Sequence, residues 1–158
     1  MSTRRTIAAA LITRLQLING SGGYSLDLTG DDQIRQTIEI DAIRKDVPVV
    51  HFDIGNFSSS NAGQMALGYR SRRLLVTIWG FVPSDLADGT DTALEGSDLE
   101  DDLMRAVESD VTLGSNVHDV IIDSGTVDGN EVHYSLGGTS VVVMQITMVW
   151  TEQRRGVS

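Results

Sequence analysis

His51 and Asp53 stand two residues apart around Phe52, so an extended backbone sets an imidazole and a carboxylate on one face. That pairing suits a proton relay or two donors to a metal ion, because imidazole changes charge near neutral pH and a carboxylate can orient it. The plainer reading is a polar pair at a loop edge. His118 and His133 complete no H-E-x-x-H or comparable zinc spacing. With no cysteine in the chain, disulfides and thiolate zinc sites are impossible. Asp98, Glu100, Asp101 and Asp102 crowd one short stretch, but the oxygen spacing and central glycine of an EF-hand loop are missing. The Gly20–Gly23 turn lacks the Gly-Lys-Ser/Thr ending of a phosphate-binding loop, and no G-x-S-x-G elbow presents a serine nucleophile. The expectation is therefore a non-enzyme with no catalytic residue, metal or cofactor. A small-ligand or metal-binding domain built on His51 and Asp53 is kept as the alternative of another class.

The elements around these residues follow from hydrophobic period. Between Thr3 and Ile18, Ile7, Leu11, Leu15 and Ile18 hold a helical stripe, with Asn19-Gly20 as a C-terminal stop. Tyr24, Leu26 and Leu28 alternate with Ser25 and Asp27 and predict a short strand. Gln33 to Ile43 fits either period, and the β-branched Thr37 and Ile38 favour strand. A second helix is predicted from Ser97, where Ser97 and Glu100 form a capping box and Asp98, Asp101 and Asp102 meet the positive end of the helix dipole. An earlier start at Thr92, paired with Glu95, stays open, with Gly96 suited to a separate turn. Leu99, Leu103, Ala106 and Val107 make the buried stripe, and Leu113-Gly114 ends the unit.

Arg73 to Val82 reads as a central strand, apolar on both faces, and Val141 to Trp150 as another, with Val142, Met144, Ile146, Met148 and Trp150 in one alternating row. Val117 to Val127 and Glu131 to Leu136 flank Asp128-Gly129-Asn130, a hairpin signal. The whole predicts a single α+β domain over residues 1–158: a mostly antiparallel sheet of five or six strands with two helices on one face. An irregular insertion is expected at about 42–72 and a short polar C-terminal tail at 153–158. The insertion ends in the basic cluster Arg70, Arg72 and Arg73, either a solvated strand edge or a partner-docking loop.

At 41% hydrophobic and 22% charged residues the composition is that of a globular domain. The formal net charge of −10 argues against a free-standing nucleic-acid binder, since such binding rests on neutralising phosphates. No apolar run approaches the roughly 20 residues that span a bilayer. Arg4-Arg5 and the apolar stretch after it faintly suggest a secretory signal, but Thr13-Arg14 interrupts it and no convincing cleavage site follows.

Trp79-Gly80-Phe81 at a strand end, the helix Leu99-Glu100-Asp101-Asp102-Leu103-Met104-Arg105-Ala106-Val107, then Asp110-x-Thr112-Leu113-Gly114 and the last apolar strand together resemble the tail terminator, or tail completion, proteins of long-tailed bacteriophages. The opening helix from Arg5 to Ile18 is similar too. The likeness spans residues 72–152, and residues 1–40 more weakly. It implies a structural virion protein at the head-proximal end of the tail, assembled in the host cytoplasm. Its copies would form a ring, commonly a hexamer, that caps the tail tube, ends its polymerisation and meets the head–tail connector. DNA would pass through the lumen without specific binding, and no membrane partner is implied. A neck or head-completion protein is the alternative in the same setting. The chain departs from the family at Ser115, where a second glycine is frequent, and in the long 42–72 insertion. On the outer faces of the Leu74 to Val82 and Val141 to Trp150 strands, Leu75, Trp79, Phe81 and Val143 are the expected subunit interface, together with the 42–72 loop, and Arg70, Arg72 and Arg73 are the expected partner-docking residues of that loop.

Overall fold

The computed structural model describes residues 3–36, 46–60, 69–83, 92–115, 117, 119–128 and 139–153. Helix α1 (Thr3–Leu15) is followed by a two-residue strand β1 (Ile34–Arg35), then β2 (Val49–Ser60), β3 (Tyr69–Pro83), helix α2 (Thr92–Glu108), β4 (Asp119–Asp128) and β5 (Thr139–Gln153). The strands make one sheet in the order β1-β2-β3-β5-β4. Among the described strands only the β1–β2 pair is parallel, so the class is α+β with a mostly antiparallel sheet, as the period of the sequence predicts.

The alternation of β3 and β5 divides the sheet into two faces. Leu74, Val76 and Ile78 pair with Met148, Ile146 and Met144, and all six are fully buried. Ile7, Leu11, Leu15 and Ile18 from the first helix and its exit, and Leu99, Leu103, Ala106 and Val107 from α2, belong to the same core. Both helical stripes are thus the buried ones expected. Gly80 lets α2 come close: a Cβ there would stand 2.3 Å from Leu99 Cδ2 and 3.5 Å from Val142 Cβ. A larger residue fits only if the Leu99 side chain gives way.

Four expectations change. The helix from Ser97 begins a turn earlier, at Thr92, and runs unbroken through a buried Gly96. Ser97 is therefore an interior residue and its capping box does not form. Asp98, Asp101 and Asp102 lie beyond the first turn, where the dipole no longer acts on them. Propagating an existing helix costs less than starting a new one, so one interior glycine is tolerated.

The predicted strand at Tyr24 to Leu28 is absent; a single bridge, Asn19 to Asp27, is all that pairs there. Its amides bond elsewhere: Ser25 and Leu26 donate to the Asp102 carboxylate at 2.8–3.0 Å, and Leu28 to the Ile18 carbonyl at 2.8 Å.

The described residues of the 42–72 insertion are mostly strand. Residues 49–60 form β2, laddered to β3 with an irregularity between Ile54 and Phe57, and β3 begins at Tyr69. A glycine and a serine run suit a strand poorly by propensity, but the long ladder outweighs that. At the irregularity Gly55 takes a hydrogen bond from Arg4 of α1, and a Cβ there would meet the Leu75 carbonyl at 3.0 Å.

The last change concerns length. The central strand extends to Tyr69–Pro83 and the final one to Thr139–Gln153. Of the expected strand over Gln33 to Ile43, only Ile34–Arg35 is seen, and residues 37–45 lie outside the described ones. So do Glu131 to Leu136, the Gly129-Asn130 turn and the tail residues 154–158.

Candidate interaction face

The second face of the sheet is formed in rows across three strands. Phe81, Val141 and Val49 stand side by side and are nearly or fully buried, with Val47, Trp79 and Val143 packed against them. His51 occupies the next row beside Trp79 and meets the Phe81 ring edge-on, 5.5 Å between centroids. Asp53 follows in a polar row with Thr77 and Gln145. Beyond it Leu75, Thr147 and Ile121 form a row in which the two outer residues are 41% and 45% exposed. The row after that is Arg73, Val149 and Asp119, charged at both ends, both exposed.

This placement sorts the predicted site residues. Leu75, Trp79, Phe81 and Val143 do share one face: Leu75 is open, Trp79 and Val143 are half-buried, and Phe81 is covered. Arg70, Arg72 and Arg73 do not form a docking loop. All three lie in β3, where Arg70 pairs with Glu152, Arg72 with Trp150 and Arg73 with Val149. Strand alternation sends Arg73 to the interaction face and the other two positions to the opposite side. The basic cluster of the sequence is thereby split, because a period of two separates neighbours that a loop would leave together.

His51 and Asp53 share a face but not an environment: the imidazole is fully buried and the carboxylate is exposed. Among the described residues no three histidine or acidic side chains are grouped to hold a metal ion. His118 and His133 lie outside them. Away from this face, an open groove on α2 is lined by Asp101, Met104, Arg105, Glu108 and Ser109, and a small polar recess lies at Thr29–Asp32.

Three polar arrangements that hold the scaffold escaped the sequence reading. Asp102 is buried and bonds the 25–26 backbone to α2. It interrupts the apolar stripe three residues after Leu99 and four before Ala106, which is the signal that marks it as inward-facing. Gln33, also buried, accepts from the Gly30 amide at 2.5 Å and donates to the carbonyls of Asp27 and Pro48 at 2.9 and 2.8 Å.

Asp110 gathers the turn after α2. It accepts from the Thr112 hydroxyl and amide and the Gly114 amide, and pairs with Arg14 of α1 at 2.8 Å. The Thr112 hydroxyl above all, then the Gly114 and Thr112 amides, with a smaller part from Arg14, hold its carboxyl down at about 2. The turn itself is left-handed at Leu113, Gly114 and Ser115, with φ of 47°, 66° and 69°. Ser115 thus stands where glycine is the comfortable residue.

No protein-family model matches the chain, and no curated protein matches it either.

Proposed function

We propose that this chain is a structural subunit of a phage tail, forming a ring that caps the tail tube, ends its polymerisation and joins it to the head connector. The observation that carries the reading is the sheet's second face. Leu75 on β3 and Ile121 on the end strand β4 are large apolar side chains left open, with Thr147 between them and half-buried Val149 in the next row, while half-buried Trp79 and Val143 lie beyond the polar row. Clustered exposed apolar side chains of this kind mark surfaces that meet another protein.

The resemblance carried by the helix Leu99–Val107 and the Asp110-x-Thr112-Leu113-Gly114 turn supplies the setting, and the geometry of that turn gives it a physical role. Asp110 fixes the exit from α2 and ties it to α1. A net charge of −10 suits a lumen through which DNA slides without adhering. The role is structural; binding geometry does the work and no bond is made or broken.

The test is molar mass by light scattering on the size-exclusion peak, before and after cognate tail-tube protein is added. Recruitment into a ring-sized assembly on tube ends supports the proposal. A species whose mass is indifferent to tube protein refutes it.

A further inference from the structure

We infer that the open part of this sheet face is self-complementary and that, away from other partners, a second copy of the same chain closes it about a two-fold axis running along β5. The inference concerns the free protein and stands independently of the tail reading.

The argument is the register. Arg73, Val149 and Asp119 lie in one row, and Leu75, Thr147 and Ile121 in the next, with β5 in the middle of both. Rotating a copy by half a turn about β5 and laying it face to face exchanges β3 for β4 within each row. Arg73 then faces Asp119 of the second copy and Leu75 faces Ile121, each twice by symmetry, while Val149 and Thr147 meet their own counterparts on the axis. Opposite charge meets opposite charge and open apolar side chain meets open apolar side chain. Aligned packing of two twisted sheets is a standard geometry, with the faces about 10 Å apart. All four outer residues are exposed. Thr147, on the axis, already donates its hydroxyl to Asp123 at 2.5 Å. Neither Leu75 with Leu75 nor Arg73 with Arg73 is brought together, while Asp123, bonded to Thr147 on the axis, comes near its own counterpart.

A two-fold contact is closed by two copies and does not propagate around a ring. In the tail reading the dimer is therefore the form held in reserve, and the face opens when the tube end takes a copy.

The experiment uses the full chain alone, with no tube protein, so its outcome is separate from that of the tail proposal. Light scattering across a concentration series should give about twice the 17.1 kDa chain mass. Arg73→Asp or Asp119→Arg alone should weaken self-association by about tenfold, since each puts like charges face to face twice. The double exchange R73D/D119R should restore it. Because the chain has no cysteine, Val149→Cys gives a second readout: with the faces about 10 Å apart, too far for a disulfide, a bismaleimide of about that span should join it to its own counterpart in a covalent dimer. A monomer at every concentration, a ring-sized mass without tube protein, a dimer unmoved by both single reversals, or a Val149→Cys chain that stays monomeric after bismaleimide treatment would each overturn the inference.

Discussion

Replacing Asp102 by alanine should be among the most damaging single changes to the scaffold outside the apolar core. The carboxylate is 2% exposed and takes the amides of Ser25 and Leu26 at 2.8–3.0 Å. Hydrogen bonds to an ionised acceptor contribute about 1.5–3 kcal/mol each, and a buried donor left unmade costs about 1–3 kcal/mol. Water can reach part of this site after truncation, so the expected loss is about 2–4 kcal/mol rather than the full sum. For a chain of this size that lowers the melting temperature by about 5–15 °C. Urea denaturation followed by circular dichroism measures it directly, with an unchanged slope showing that the denatured state is unaltered. Asp102→Asn keeps one acceptor oxygen and should lose about half as much. Asp101→Ala, one position away and exposed, should change stability by less than about 0.5 kcal/mol. A loss below about 1 kcal/mol for Asp102→Ala, or equal effects at 101 and 102, would refute the role assigned to this carboxylate.

Three further outcomes are expected. Asp110 titrates below its unfolded value, so its contribution is fully present above about pH 4 and is lost as pH falls toward about 2; the stability gap between wild type and Asp110→Asn should shrink across that window and stay level above it. Ser115→Gly relieves a left-handed φ of 69° and should raise stability by up to about 1 kcal/mol, read as a shift in urea midpoint. Gly80→Ala places a methyl group against Leu99 Cδ2 and should cost about 1–3 kcal/mol, with partial recovery in Gly80→Ala/Leu99→Val if the clash is the cause.

The parts of the fold that were legible in the sequence are those where burial alone sets the period. Ile7, Leu11 and Leu15, the Leu99–Val107 stripe, and the Val142 to Trp150 row each face one core, so a single chain segment carries the whole signal. The parts that were not legible depend on partners far away in sequence. Ser25 and Leu26 alternate like a strand, yet their amides bond to Asp102, some 76 residues on. Residues 55–60 carry a glycine and a serine run, yet β3 supplies their ladder. The interaction face was half visible: Leu75, Trp79, Phe81 and Val143 follow from alternation along two strands, whereas Ile121 and Asp119 join them only through the register of β4 on β5. Arg70, Arg72 and Arg73 form one cluster in sequence, but all three lie in β3 and the pleat divides them.

The most direct measurement of the central claim is electron microscopy of cognate tail-tube protein polymerising with and without this chain, counting tube lengths and imaging tube ends. The account predicts that the wild-type chain stops elongation and leaves a ring of density at one end of each tube. Leu75→Asp/Ile121→Asp, which leaves the buried core untouched, should not cap. Tubes that grow to the same lengths with bare ends in the presence of the wild-type chain, or capping that persists in the doubly charged variant, would contradict it.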